Sequence, residues 1–466
     1  MKSNLRTYTR AKTHEGASAG SISNEKQLER LVASCLLFEN TFYESGSEIA
    51  KNISDLCAKV SPQKIASLAV KARTEYGLRH VPLFLVAKLD ENKNRIPEPL
   101  RGIVSNTVFE VVKRADELSE LLAIIAKTRG VKPSEIKGVL SAQVKKGLAR
   151  AFSKFEEYHF QKYADDKAEI KLRDVLFLVH AKPGYGRKLL YKRIVDNNLA
   201  IADTWETRLS SGADKFKSWT ALLNEGKLGP LALIRNVRNM HDAGVGGLRV
   251  ADALRKIKPG SGILPFQFIS AARNNPYGQR VQEAIEYAMF ASLEGKAILP
   301  GSTVILVDVS GSMDDPLSSK STASRLDAAS SIAVLLRETC EKVNVATFSS
   351  GTVALRLQDR GMALVENIRT SQPHASTNLF GAVNDVNQFF GRSDRLIVIT
   401  DEQAGSSGIN RIPAPNAKTG YVVNVASYKP SLDISSGWTR INGFSERLVD
   451  YIRIEEGLDS ISKDEE

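Results

Sequence analysis

Five oxygen-bearing side chains set the chemistry that this sequence could support. Asp308, Ser310 and Ser312 follow the apolar run of "STVILVDVSGSM" in a D-x-S-x-S spacing, Thr377 stands in "HASTNLF", and Asp401 stands in "IVITDE". Two carboxylates and three hydroxyls are hard donors. They suit Mg²⁺, or another divalent cation such as Mn²⁺, which takes an octahedron of oxygens and usually retains several waters. A lone D-x-S-x-S equally suits an Asx turn or a helix N-cap; the two later matches favour the metal reading. The neighbouring acids Asp314, Asp315 and Glu402 read as solvated, and no base is placed to activate a metal-bound water. The constellation therefore reads as a binding site rather than a hydrolytic one, and the chain as a non-enzyme.

The elements around these residues say how they would meet. From residue 300 onward, short β-branched runs ("STVILVDVS", "VNVATFSS", "DRLIVITDE", "GYVVNVASY") alternate with helical stretches such as "SRLDAASSIAVLLRETCEKV" and "TNLFGAVNDVNQFF". This alternation predicts a doubly wound parallel α/β sheet with functional groups at the carboxyl ends of its strands. Asp308, Ser310 and Ser312 fall in the loop leaving the first strand, and Thr377 and Asp401 fall where two later loops should emerge on the same sheet edge. Residues 25–290 instead carry helical periodicity in segments of about 10–18 residues with almost no strand signal. Ser61, followed by Pro62, reads as an N-cap with proline in the first turn. Amphipathic helix pairs joined by short turns bury their faces against neighbouring pairs, which predicts an α-helical repeat, a HEAT-like solenoid; a compact bundle is the alternative.

Length and charge agree with this division. A chain of 466 residues exceeds a single core, and a boundary at 290 gives a helical domain (1–290) and an α/β domain (291–466). The first carries 47 Lys and Arg against 31 Asp and Glu, a net +16, and the second 17 against 22, a net −5. So positive a half suits a polyanion such as nucleic acid, held through counterion release, or simply a solvated helical surface. The cysteines Cys35, Cys57 and Cys340 are far apart, without zinc or disulfide-framework spacing. No apolar run reaches spanning length and no secretory leader is evident, so a cytoplasmic monomer without a membrane role is expected.

Within the basic half, Lys171, Arg173, Lys182, Arg187, Lys188, Lys192 and Arg193 lie within 23 residues, with Tyr185 and Tyr191 interleaved. Cations that hold phosphates and rings that stack bases are the parts of an RNA surface, although each residue also suits a solvated helix face. In "LIRNVRNM", Arg235, Asn236, Arg238 and Asn239 follow an apolar run, so two of the four should point partly inward. Arg235 and Arg238 are a second set, for RNA or for bracing the solenoid. The histidines are scattered without metal-ligand spacing.

"DVSGSM", "STN" and "ITD", in this order, resemble the metal-ion-dependent adhesion site (MIDAS) of von Willebrand factor type A domains. That resemblance implies direct metal contacts from Ser310, Ser312 and Thr377, water-mediated ones from Asp308 and Asp401, and a sixth position open to a partner's carboxylate. "THEGASAG", "RLVASCLLFENTFYESG", "LRDVLFLVHAKP", "WTALLNEGKLGPLALIRNVRNM" and "ILPFQFISAARNN" resemble the TROVE module of the Ro autoantigen family, in a prokaryotic or phage-type member. The family's arrangement, TROVE followed by a von Willebrand A domain, implies a helical repeat closed into a ring, with small noncoding Y-like RNA on its outer surface. It also implies single-stranded ends of structured or misfolded RNA in the central hole, and a scaffold role in a ribonucleoprotein for RNA processing or quality control. By the same resemblance His180, in "VHAKP", and Lys162, in "QKYADDK", fall on the Y RNA surface, and an exoribonuclease or another protein is a partner for the metal site. A metal-dependent protein-docking adaptor, working mainly through the A domain, is the alternative function.

Overall fold

The computed structural model describes residues 23–35, 47–163, 168–201, 203–317, 323–402, 411–425, 433–434, 437–442 and 447–458. "THEGASAG", residues 36–46 and the end of "QKYADDK" lie outside them. Two compact units are present, dividing between residues 207 and 208. The change from helices to mixed α/β structure comes later, between the helix Gln279–Leu293 and the first strand. The compact units therefore part well before the secondary structure changes. The reason lies in packing within the second unit, where the helix Pro265–Arg273 rests on the helix Arg325–Thr339.

In the first unit the described elements are all helical. Ser61 caps Pro62–Thr74 by accepting from the Lys64 N–H at 3.4 Å, with Pro62 in the first turn. That helix buries Ile65, Leu68, Ala69 and Ala72, the i, i+3, i+4 stripe, and packs on His80–Glu91. Ile103–Val111 packs on Ala142–Ala151 so closely that a Cβ at Gly147 would stand 2.6 Å from the Val108 Cβ and 2.8 Å from the Ser105 carbonyl. Some continuous-looking patterns are broken in the structure. "RGIVSNTVFEVVKRADELSELLAIIAKTR" folds as Ile103–Val111 and Glu117–Arg129. The break is held by buried Glu117, whose carboxylate accepts from the Lys113 and Arg114 N–H groups (2.7 and 3.0 Å) and pairs with Arg73 at 2.6 Å.

The second unit begins with helices from Lys215–Asn224 to Gln279–Leu293. It continues into strands β1 (Leu299–Asp308), β2 (Cys340–Phe348), β3 (Thr352–Ala354), β4 (Ser393–Thr400), β5 (Arg411–Ile412), β6 (Ala417–Asn424), β7 (Asp433–Ile434) and β8 (Trp438–Asn442). Six of them form one sheet in the order β3-β2-β1-β4-β6-β8, parallel except for the short edge strand β3. Val304 to Asp308 are buried without alternation, as expected of a strand covered on both faces. Leu379, Val383 and Val386 pack on one face with Leu306, Phe348 and Val398. Chain order reverses between β1 and β4, the switch point where sheets of this kind open a crevice. Among the described residues no helix is long and apolar enough to cross a membrane.

Candidate functional site

Asp308 ends β1 and Asp401 follows β4, so the two carboxylates flank the switch point, both fully buried. The Asp308 oxygens are each held: Oδ1 accepts from the Ser310 N–H at 2.9 Å and Oδ2 from the Thr400 hydroxyl at 2.6 Å. Burial pushes the Asp308 carboxyl up to about 6, against the pull of the hydrogen bonds from Thr400 and Ser310. The Ser310 and Ser312 hydroxyls stand 3.4 Å apart. Adjacent ligands of an octahedral Mg²⁺ lie about 3 Å apart, by its metal–oxygen distance of about 2.0–2.1 Å, so a small closure would let both hydroxyls bind one ion.

Thr377 arrives on a separate loop, tied to the others by its neighbours. Gly311 N–H donates to the Ala375 carbonyl at 3.1 Å, Ser349 Oγ to the Ser376 carbonyl at 3.2 Å, and Asn378 N–H to the Ser349 carbonyl at 2.8 Å. His374 adds a tie, its Nδ1 lying 2.7 Å from Asp314 and its Nε2 2.8 Å from the Arg369 carbonyl. Two hydroxyls gathered beside an oriented, buried carboxylate fit a hydrated divalent ion. Ser310, Ser312 and Thr377, with Asp308 and Asp401, are the residues that could hold it.

Of the neighbouring acids, Asp314 and Asp315 are exposed, as expected. Glu402 is not: it is 2% exposed and pairs with Arg440 of β8 at 2.9 Å. The reading of Glu402 as solvated is thereby corrected; a β-strand 38 positions further on supplies the charge that permits its burial. Arg325, which was not singled out in the sequence, lies 2.8 Å from Asp401.

In the other unit, the helix Leu172–Val179 buries Val175, Leu176 and Val179 and presents Arg173, Phe177 and then His180 to solvent. His180 ends this helix in the left-handed region, φ 52°. Lys182 and Lys188 are exposed, Tyr185 is fully exposed, and Phe177 and Leu189 are more than half exposed. Lys162 is exposed beside Tyr158, whose hydroxyl lies 3.3 Å from its Nζ. Arg187 is placed differently: its guanidinium donates to the carbonyls of Ser153 and Phe155 and braces the turn before the helix Lys188–Val195. Tyr191 is buried against Phe152, with ring centroids 6.0 Å apart, and is no stacking platform. Arg193 grips Glu157 at 2.8 and 3.0 Å.

Arg235 and Arg238 lie in the other compact unit from this surface. Arg235 is exposed with its Nε 3.0 Å from Gln267, and Arg238 is exposed beside Asp242. Of the four polar residues in "RNVRN", Asn236 alone is buried, where the chain breaks between the helices Pro230–Arg235 and Val237–Asp242. Phe177 and Leu189 were missed by sequence reasoning; Phe177 was readable, four residues after Arg173 and off the apolar stripe of its helix.

Residues 192–284 match the TROVE domain family. No curated protein matches the chain in sequence. Among solved structures, the Deinococcus radiodurans Ro (RSR) protein gives a TM-score of 0.67 at 16% identity, covering 93% of this chain and 100% of that one. An aerotolerance-related membrane protein from Bacteroides fragilis is 19% identical over 34% of this chain and 88% of that one, with a TM-score of 0.22.

Proposed function

We propose that this chain, which carries a TROVE domain within the fold of a prokaryotic Ro protein, binds small structured RNA as a non-catalytic scaffold for RNA processing or quality control. The observation that carries the reading is the exposed surface of Arg173, Phe177, His180, Lys182, Tyr185 and Lys188, where cations for phosphates alternate with rings for unstacked bases. Ring closure around a hole for single-stranded RNA ends belongs to the same proposal, supported by the family resemblance. The cleft at the carboxyl ends of β1 and β4 would serve as a metal-ion-dependent adhesion site of the von Willebrand A type, with Mg²⁺ or Mn²⁺ docking a protein such as an exoribonuclease. Its support is the set of oriented oxygens at Asp308, Ser310 and Ser312.

Affinities of one hairpin RNA, blunt or with a single-stranded 3′ tail, measured at fixed salt with Mg²⁺, test this reading. The tailed RNA should bind more tightly and be recovered intact on a denaturing gel. Failure to bind either RNA at low salt overturns the proposal, equal binding removes the hole, and Mg²⁺-dependent shortening removes the non-catalytic scaffold.

A further inference from the structure

Arg325 brings a positive charge of the protein's own into the cleft where a divalent cation is expected. It is the first residue of the helix Arg325–Thr339 and is 5% exposed. Its Nη1 lies 2.8 Å from Asp401 Oδ2, 2.9 Å from the Ser312 carbonyl oxygen and 3.2 Å from Asp315 Oδ2. The backbone beneath it is fixed. Ser324 Oγ accepts from the Asp327 N–H at 3.2 Å and the Asp327 carboxylate accepts from the Ser324 N–H at 2.8 Å, which closes a capping box. Asp327 is in turn gripped by Arg273 and Arg369, and the Arg325 N–H donates to the Asp315 carbonyl at 3.0 Å. The guanidinium is thus seated at Asp401 by the fold.

The charges decide what that seat does. Asp308, Asp401 and the adjoining Glu402 are buried carboxylates; Arg440 offsets Glu402 and Arg325 offsets Asp401, while Asp315 is more than half exposed and screened by water. We propose that Arg325 is a positioning residue that competes with the divalent cation for Asp401. It weakens the bare site and makes occupancy depend on an anionic ligand from outside, such as a carboxylate. This rests on the metal reading given above. In a buried site a neighbouring cation acts on a doubly charged ion at low effective dielectric, so its removal should change affinity by on the order of tenfold or more.

Calorimetric titration of the full chain with Mn²⁺, with and without acetate as a model carboxylate, tests the inference. The wild type should bind Mn²⁺ weakly and more tightly with acetate. Arg325→Gln should bind roughly tenfold more tightly and respond little to acetate, whereas Arg325→Lys, which keeps the charge, should behave as the wild type. A merely structural role would lower affinity in Arg325→Gln, the opposite sign. Should Arg325→Gln not fold, Arg325→Met, which keeps an apolar stem without the charge and leaves Asp401 in place, takes its part; wild-type affinity with retained acetate dependence in that variant would overturn the proposal. If Asp308→Asn abolishes Mn²⁺ binding while Arg325→Gln matches the wild type, this inference alone fails. If Asp308→Asn leaves binding unchanged, the metal reading fails and takes the inference with it.

Discussion

The Thr400 hydroxyl donates to Asp308 Oδ2 at 2.6 Å, joining the ends of two neighbouring strands through a buried carboxylate. With its carboxyl pushed up to about 6 by burial, Asp308 is harder to ionise in the folded chain than in the unfolded one. Its protonated form is the one that the fold favours. Stability should therefore fall as pH rises from about 4 to about 6 and stay flat above, at a cost of roughly 3 kcal/mol for this group alone. Asp308→Asn should raise the Tm of the metal-free protein at pH 8 by a few degrees and abolish stabilisation by millimolar Mg²⁺. Thermal unfolding with and without Mg²⁺ checks both, and undiminished Mg²⁺ stabilisation in the variant would contradict the assigned site.

Arg187 and Lys182 separate bracing from binding. Arg187 spends its guanidinium on the carbonyls of Ser153 and Phe155, whereas Lys182 is exposed. Arg187→Ala should cost about 1–3 kcal/mol in urea unfolding and leave the salt dependence of RNA binding unaltered. Replacing Lys182 and Lys188 by alanine should do the reverse, leaving the unfolding midpoint in place and reducing the log–log slope against duplex by about 0.9 per contact.

The tyrosines divide in the same way. Tyr185 is fully exposed, and its replacement by alanine should cost about 1–3 kcal/mol of single-stranded RNA affinity with no change in Tm. Tyr191 is buried against Phe152, so Tyr191→Ala should destabilise the protein by about 3–5 kcal/mol, the range for core aromatics. Fluorescence titration and thermal melts on the two variants distinguish these outcomes. Equal loss of RNA affinity, with both folded, would mean that burial does not sort the two rings.

These contrasts show what was legible in the sequence. The strand at Val304–Asp308 could be read because a parallel strand buried on both faces is written as a continuous apolar run. Asp308, Ser310, Ser312 and Asp401 followed because functional groups cluster at strand ends, whereas Thr377 sits on the loop between the helices Gly361–Thr370 and Leu379–Phe389, which strand ends alone did not indicate. What could not be read depends on pairs distant in the chain. Arg325 meets Asp401 across 76 positions, and Arg187 reaches a backbone carbonyl 32 positions away. Nothing local to either arginine distinguishes it from a solvated one. The break between Val111 and Glu117 was hidden for a similar reason: Glu117 turns inward only because Arg73 is there to meet it.

Glu402, immediately after Asp401, combines a φ of 58° with burial and an ion pair to Arg440 on β8 at 2.9 Å. A left-handed conformation is costly for a side chain with a Cβ and free for glycine, so the pair must offset both that strain and the desolvation of two charges. Arg440→Met should therefore be strongly destabilising, by about 3–5 kcal/mol, because it withdraws the guanidinium from a buried carboxylate. In the double variant Glu402→Gly/Arg440→Met the carboxylate and the strain disappear together, so most of that loss should be recovered. Urea unfolding of the wild type, both single variants and the double variant gives the coupling energy directly. A coupling near zero would show that Arg440 does not support Glu402, and that the turn carrying Asp401 is held by other contacts.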